Sequence, residues 1–182
     1  MKVNTYLTDG FETVEALAVI DILRRAGIDT ETVSVTGELE VKSAQNIPVR
    51  ADRLFDKSAE EADVIFLPGG PGSLAFEEMK DLKEIVVSHN AEGKIIAAIC
   101  AAPSVLGHWG LLKGKNATCF PGFEKDLTGA KVQKAPARVV ADGNIFTARG
   151  MGTAIDLGLA LVGNLLGEDK AEHLGVDIQY ID

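Results

Sequence analysis

The feature that most constrains the fold is the alternation along the chain of short apolar runs with longer segments of helical periodicity. Residues 3–7, 63–67 and 94–99 have the length and apolar character of buried strands, whereas residues 13–26 and 74–90 repeat their apolar positions at helical spacing. Strands that alternate with helices are typical of a mostly parallel sheet covered by helices on both faces. The sequence therefore predicts an α/β sandwich.

The remaining predicted elements are shorter, and nothing divides the chain into separate units. They are strands at 32–35, 40–42, 49–50, 117–120 and 132–135, a hairpin formed by 138–140 and 144–148, and helices over 101–111 and 153–166. The 182 residues contain no repeat, low-complexity tract or linker-like stretch. We therefore expect residues 1–182 to form a single domain.

Composition and charge exclude several classes of protein. The chain has 27 acidic and 18 basic residues, a net charge of −9, so a basic surface for nucleic acid is not expected. No apolar run approaches the ~20 residues of a membrane span, and the first ten residues do not resemble a secretory signal. The two cysteines do not form a disulfide framework or a CxxC pair, which favours a cytoplasmic protein without a metal site.

Cys100 is the first candidate catalytic residue. It follows the predicted strand 94–99 directly, precedes a predicted helix, and is flanked by the small residues Ala98, Ala101 and Ala102. A nucleophile at such a strand-to-helix turn lies beside unpaired backbone N–H groups and a partial positive charge, both of which favour the thiolate. The sequence thus predicts a reactive cysteine at a nucleophile elbow, and a buried, unreactive cysteine is the alternative.

Glu12 is the second candidate. It lies in the loop after the first predicted strand, and that loop is expected at the same edge of the sheet as Cys100. A carboxyl group beside a thiol donates a hydrogen bond when it is protonated and acts as a base when it is ionised. The alternative is a carboxylate that only interacts with the dipole of the following helix.

The glycine-rich run Leu-Pro-Gly-Gly-Pro-Gly at residues 67–72 is the third candidate. The N–H groups of Gly69 and Gly70, together with that of Ala101, are placed to bind a developing oxyanion. A plain structural turn is one alternative. A dinucleotide-binding loop is another, because residues 70–75 fit G-x-G-x-x-A, but the run does not follow the first strand and its proline removes an amide donor.

Six motifs occur in one collinear order that spans nearly the whole chain. They are DGFETVEA (9–16), DILRRAG (21–27), VIFLPGG (64–70), IIAAICAAP (95–103), ATCFPGFE (117–124) and TARGMGTAIDLGLALV (147–162). In this combination the chain resembles the ThiJ/PfpI superfamily, and specifically its DJ-one-like branch.

The resemblance implies a flavodoxin-like three-layer α/β sandwich with a mostly parallel central sheet, and a homodimer. It also implies a reactive cysteine at Cys100, a partner carboxyl at Glu12 and oxyanion amides from Gly69, Gly70 and Ala101, with no cofactor and no metal. Activities in the family include glutathione-independent glyoxalase and deglycase chemistry, and other members are oxidative-stress sensors, chaperones or intracellular peptidases.

Two positions depart from the family pattern. Phe120 stands where many members have a histidine before the proline, and Gln45 stands where an arginine is often found. A phenyl ring cannot accept a proton, so a Cys–His peptidase or amidase is the least favoured function.

The leading hypothesis is a cysteine-dependent, cofactor-free glyoxalase (a hydro-lyase) or deglycase. Its substrate is a small carbonyl compound, a 2-oxoaldehyde such as methylglyoxal or an adduct of one, and its role includes protection against oxidative stress. The alternative is a redox sensor or chaperone whose active cysteine is oxidised to sulfinic acid.

Overall fold

The computed structural model describes residues 1–59 and 61–181. The strands are β1 (Lys2–Leu7), β2 (Asp29–Ser34), β3 (Glu40–Lys42), β4 (Pro48–Arg50), β5 (Arg53–Leu54), β6 (Val64–Leu67), β7 (Ile95–Ile99), β8 (Asn116–Ala117), β9 (Lys131–Val132), β10 (Val139–Asp142) and β11 (Ile145–Ala148). The α-helices are α1 (Thr13–Arg25), α2 (Lys80–Ala91), α3 (Ala102–His108), α4 (Ala154–Leu166) and α5 (Glu168–Asp177).

A seven-stranded sheet in the order β10-β11-β7-β6-β1-β2-β5 forms the middle layer. Its strand pairs are parallel except β10–β11, which form the predicted antiparallel hairpin. The predicted α/β fold with a mostly parallel central sheet is therefore confirmed. Because β1, β6 and β7 are neighbours and run the same way, their carboxyl ends meet at one edge.

Each face of the sheet is covered by its own helices because successive strand residues point to opposite sides. Val3 and Phe66 pack with residues of α1, α4 and α5 in one apolar cluster. Tyr6 and Leu67 pack with residues of α2 and α3 in the other. This arrangement places α1 and α3 on opposite faces while both begin at the same edge of the sheet. No helix in the described part of the chain has the length and apolar character that crossing a membrane requires.

The predicted helix over 74–90 is wrong at its start. Residues Pro71–Glu78 form 3-10 turns, and α2 begins only at Lys80. The turns bury Ser73 and Phe76 against the sheet and are held at their beginning by the Ser73 hydroxyl, which donates to the Gly70 carbonyl at 2.8 Å.

Candidate active site

Cys100 occupies a sharp bend between β7 and α3. Its φ is +65°, in the left-handed region that costs a residue with a Cβ about 1–2 kcal/mol. Two backbone hydrogen bonds hold the bend: the Cys100 N–H donates to Ala148 at 3.0 Å, and the Cys100 carbonyl accepts from the Phe120 N–H at 2.8 Å. The strained geometry is that of a nucleophile elbow, which exposes the sulfur above the edge of the sheet.

Two of the three predicted oxyanion amides act on the sulfur. The N–H groups of Gly70 and Ala101 lower the pKa of the Cys100 thiol, and both residues line the same pocket as Cys100. Gly70 adopts φ +97°, a conformation that favours glycine and turns its N–H toward the site. The N–H of Gly69, the third predicted amide, lowers the pKa of a nearby glutamate carboxyl instead.

That glutamate is Glu15, and it corrects the prediction that Glu12 is the carboxyl partner of Cys100. Glu15 lies in the first turn of α1 and is 1% exposed, and its carboxyl borders the same pocket as the thiol, whose pKa its charge raises. The space is tight, since a Cβ added to Gly69 would collide with Glu15 Oε2 and lie 2.5 Å from the Cβ of Cys100.

Glu12 lies instead at the beginning of α1 and faces the mouth of the site. Its Oε2 accepts a hydrogen bond from Gln45 Nε2 at 2.8 Å, and Gln45 Oε1 accepts one from the Thr13 hydroxyl at 2.6 Å. Position explains the difference: residue 15 belongs to the helix face that packs on the sheet with Val19 and Leu23, whereas residue 12 precedes the helix. The signal that sequence reasoning missed is a glutamate on the apolar face of an amphipathic helix.

The electrostatics of the Cys100–Glu15 pair differ from the expected stabilised thiolate. Burial and, to a smaller extent, the nearby Glu12 charge together raise the pKa of Glu15 from 4.5 to about 7. Burial, followed by the negative charge of Glu15, raises the pKa of the Cys100 thiol to about 12 and outweighs the amides of Gly70 and Ala101. The two groups are therefore coupled, and a thiolate forms most easily while the carboxyl is protonated.

The Glu15 carboxyl is incompletely satisfied. The N–H groups of Gly69 and Met151 point toward it, yet within residues 1–59 and 61–181 no group makes a well-formed hydrogen bond to Oε2. A buried oxygen without a full partner keeps the carboxyl basic. It is thereby suited to hold or transfer a proton at the sulfur.

An open pocket of about 520 Å³ leads from solvent to the sulfur. It is lined by Glu12, Glu15, Gln45, Gly70, Pro71, Leu74, Cys100, Ala101, Phe120, Phe123 and Met151. A volume of this order accommodates a small organic molecule. Both departures from the family pattern, Phe120 and Gln45, therefore lie in the wall of this pocket.

The alternative of a dinucleotide loop after β6 is contradicted. The N–H of Gly72 donates to the Gly10 carbonyl at 3.0 Å, and the N–H of Ser73 donates to the Gly70 carbonyl at 3.1 Å. The amides that would bind a pyrophosphate thus already donate to backbone carbonyl groups.

Among the residues that the structure describes, no cluster of His, Cys, Asp and Glu has the arrangement of a metal site.

The DJ-1/PfpI family model matches residues 1–164. The chain belongs to the DJ-1/PfpI family. It is 40% identical over 173 residues to Protein DJ-1 homolog B of Arabidopsis thaliana, an alignment that covers 93% of this chain and 39% of that protein. The chain thus spans about two fifths of the length of that relative.

A second relative matches over nearly its full length. Deglycase PH1704 of Pyrococcus horikoshii is 32% identical over 155 residues, which cover 82% of this chain and 90% of that protein.

Solved structures of the family match the whole fold. A DJ-1 superfamily protein from Salmonella typhimurium has a TM-score of 0.92 and 35% identity and covers 100% of this chain and 99% of its own. Toxoplasma gondii DJ-1, in an oxidized form, has a TM-score of 0.92 and 33% identity with the same coverage. The flavodoxin-like sandwich implied by the sequence motifs is therefore confirmed.

Proposed function

We propose that this protein is a cofactor-free enzyme that uses Cys100 as nucleophile and Glu15 as acid and base to convert 2-oxoaldehydes to 2-hydroxy acids. The observation that carries the proposal is the pairing of an elbow cysteine with a buried carboxyl whose raised pKa, about 7, lies at the pH where it must exchange protons. Similarity to a relative named a deglycase favours the same chemistry on aldehyde adducts.

The first step is addition of sulfur to the aldehyde. Ionised Glu15 takes the proton of the Cys100 thiol, the sulfur attacks the aldehyde carbon, and the carbonyl electron pair moves to the oxygen. The N–H groups of Gly70 and Ala101 are placed to stabilise that oxyanion, which is then protonated to a hemithioacetal.

The second step moves a proton between adjacent carbons. Ionised Glu15 takes the proton from the former aldehyde carbon to give an enediol, then returns a proton to the neighbouring carbon, which leaves a thioester of a 2-hydroxy acid. Water cleaves the thioester and restores the thiol. The net reaction consumes one water, oxidises the aldehyde carbon and reduces the ketone carbon, so no external oxidant or cofactor is needed.

The test is formation of lactate from methylglyoxal by the wild type, Cys100→Ser and Glu15→Gln. We expect Cys100→Ser to lose at least about a thousandfold in kcat/KM and Glu15→Gln about a hundredfold or more. Cys119→Ser is the matched control, because Cys119 lies outside the lining of the pocket at Cys100. Equal lactate formation by wild type and Cys100→Ser would overturn the proposal.

Oxidation of Cys100 is a second candidate function, favoured by two observations. A protonated Glu15 beside the sulfur can donate a hydrogen bond to a sulfinate oxygen, and the similar Toxoplasma protein is described in an oxidized form. Intact-mass measurement after mild peroxide should show two added oxygens that Cys100→Ser lacks. Progression of the wild type to the three-oxygen product under the same conditions would count against a sensor.

A peptidase is not supported, since the described lining of the pocket contains no imidazole.

A further inference from the structure

The pocket at Cys100 has an apolar wall that the chemistry of a two- or three-carbon aldehyde does not require. Leu74, Phe120 and Met151 are 42%, 47% and 55% exposed, yet all three border the same pocket, together with Phe123 and Pro71. Large apolar side chains exposed around one concave site favour a ligand that covers them.

Phe120 is fixed beside Cys100 and lines the same pocket. Its N–H binds the Cys100 carbonyl at 2.8 Å, so its backbone is fixed to the elbow. Its ring lies against Gly150. A Cβ built on Gly150 would be 3.1 Å from Cδ2 of the ring and 3.6 Å from Glu15 Oε1, so the ring and the carboxyl lie on either side of the same small space. The ring thus borders the space above the Cys100–Glu15 pair and offers its exposed surface to the pocket.

The charged side chains that line this pocket have one sign, whereas two arginines line the open pocket that adjoins it. Among the lining residues that the structure describes, the ionisable ones are Glu12, Glu15 and Cys100, and none is a lysine, arginine or histidine. Glu12 lies at the mouth, where its Gln45 partner satisfies one oxygen without cancelling the charge. An anionic group on a substrate would be repelled there.

We propose that the pocket selects uncharged 2-oxoaldehydes that carry an aryl or similarly bulky apolar group, with Phe120 favouring the apolar group and Glu12 excluding anionic substrates. This inference rests on the proposed function, since it names the substrate class of that same site.

The experiment compares kcat/KM for glyoxal, phenylglyoxal and 4-carboxyphenylglyoxal in the wild type, Phe120→Ala and Glu12→Gln. We expect the wild type to prefer phenylglyoxal over glyoxal by at least about tenfold. Phe120→Ala should lose most of that preference, because its kcat/KM should fall more for phenylglyoxal than for glyoxal. Glu12→Gln should narrow the gap between the two aryl substrates by about fivefold, the effect of one like charge several ångströms away at a partly exposed site.

Two control variants test whether the changes in substrate preference depend on the position of the removed side chain. Val87→Ala removes an exposed apolar side chain on α2, outside the pocket, and Glu172→Gln removes an exposed carboxylate on α5. Neither should change the order of substrates. Cys100-dependent turnover with the same preference in Phe120→Ala as in the wild type would overturn the inference and leave the proposed function intact.

A second measurement tests the charge part of the inference without any enzymatic turnover. Neutral iodoacetamide and anionic iodoacetate both alkylate thiols, and the ratio of their rates at Cys100 reports the charge of the mouth. Glu12→Gln should bring the two rates closer together by about fivefold, and an unchanged ratio would refute the charge part of the inference. Absence of Cys100-dependent turnover with every aldehyde would overturn the proposed function itself.

Discussion

At the scale of single residues, the site depends on a carboxyl that the fold buries at an energetic cost. Glu15 is 1% exposed and its Oε2 lacks a well-formed hydrogen bond to any part of the described chain. Such a group is retained against its destabilising effect when chemistry requires it. The strained φ of Cys100, +65°, is a cost of the same kind.

Glu15→Gln should make stability less dependent on pH. The pKa of Glu15 is raised from 4.5 to about 7 on folding, so the folded state binds its proton more tightly and the contribution of Glu15 to stability is lost as pH rises through 4.5 to 7. The effect of Glu15→Gln on the free energy of unfolding should therefore be about 3 kcal/mol more stabilising at pH 8 than at pH 4. Urea unfolding of both proteins at the two pH values measures this, and parallel pH profiles would contradict it.

Sequence reasoning predicted Cys100 at a bend at the edge of the sheet, where the structure places it, but predicted Glu12 as its neighbouring carboxyl, where the structure places Glu15. A cysteine between a buried strand and a helix has one possible position at the edge of the sheet, so its place could be predicted from local pattern. Glu12 and Glu15 are three residues apart in one motif, and only the packing of α1 decides which of them turns inward. The motif therefore located the carboxyl to within one helical turn.

At the scale of elements, the site depends on how closely α1 packs against α4. Gly158 of α4 faces Ile22 of α1, and a Cβ at Gly158 would lie 2.9 Å from the Ile22 Cβ. Since α1 carries Glu15, this close approach helps to position the carboxyl beside the elbow.

The 3-10 turns at Pro71–Glu78 could not be predicted from the sequence, because the burial of Phe76 depends on the sheet and not on local periodicity.

Gly158→Ala should destabilise the protein by about 1–3 kcal/mol, because the added methyl group overpacks the contact between α1 and α4. Denaturant unfolding measures the change. Gly152→Ala is the matched control, since a Cβ there meets nothing within 4 Å. Equal stability of the two variants would mean that the helices have room to separate.

At the scale of the whole molecule, one sheet supports both apolar clusters. The clusters on its two faces are built from alternate residues of the same strands, so we expect them to unfold together. The parallel α/β class followed from the alternation of strands and helices. The strand order, with β1 between β6 and β2, depends on crossovers that local patterns do not encode. The homodimer and the cytoplasmic location stay predictions.

Unfolding should accordingly be a single transition. Trp109, the one tryptophan of the chain, packs against the cluster on the α2–α3 face, whereas far-ultraviolet circular dichroism reports all helices. We expect the two signals to give the same midpoint in denaturant. Separate midpoints would mean that the two faces unfold independently and that residues 1–182 are not one cooperative domain.

The most direct test of the Cys100–Glu15 pair is the pH dependence of Cys100 alkylation by iodoacetamide, followed at the Cys100 peptide by mass spectrometry. The negative charge of Glu15 raises the pKa of the thiol, so Glu15→Gln should lower that pKa by about one unit or more, and Glu12→Gln should shift it much less. A thiol pKa that responds to Glu12→Gln and not to Glu15→Gln would contradict the account.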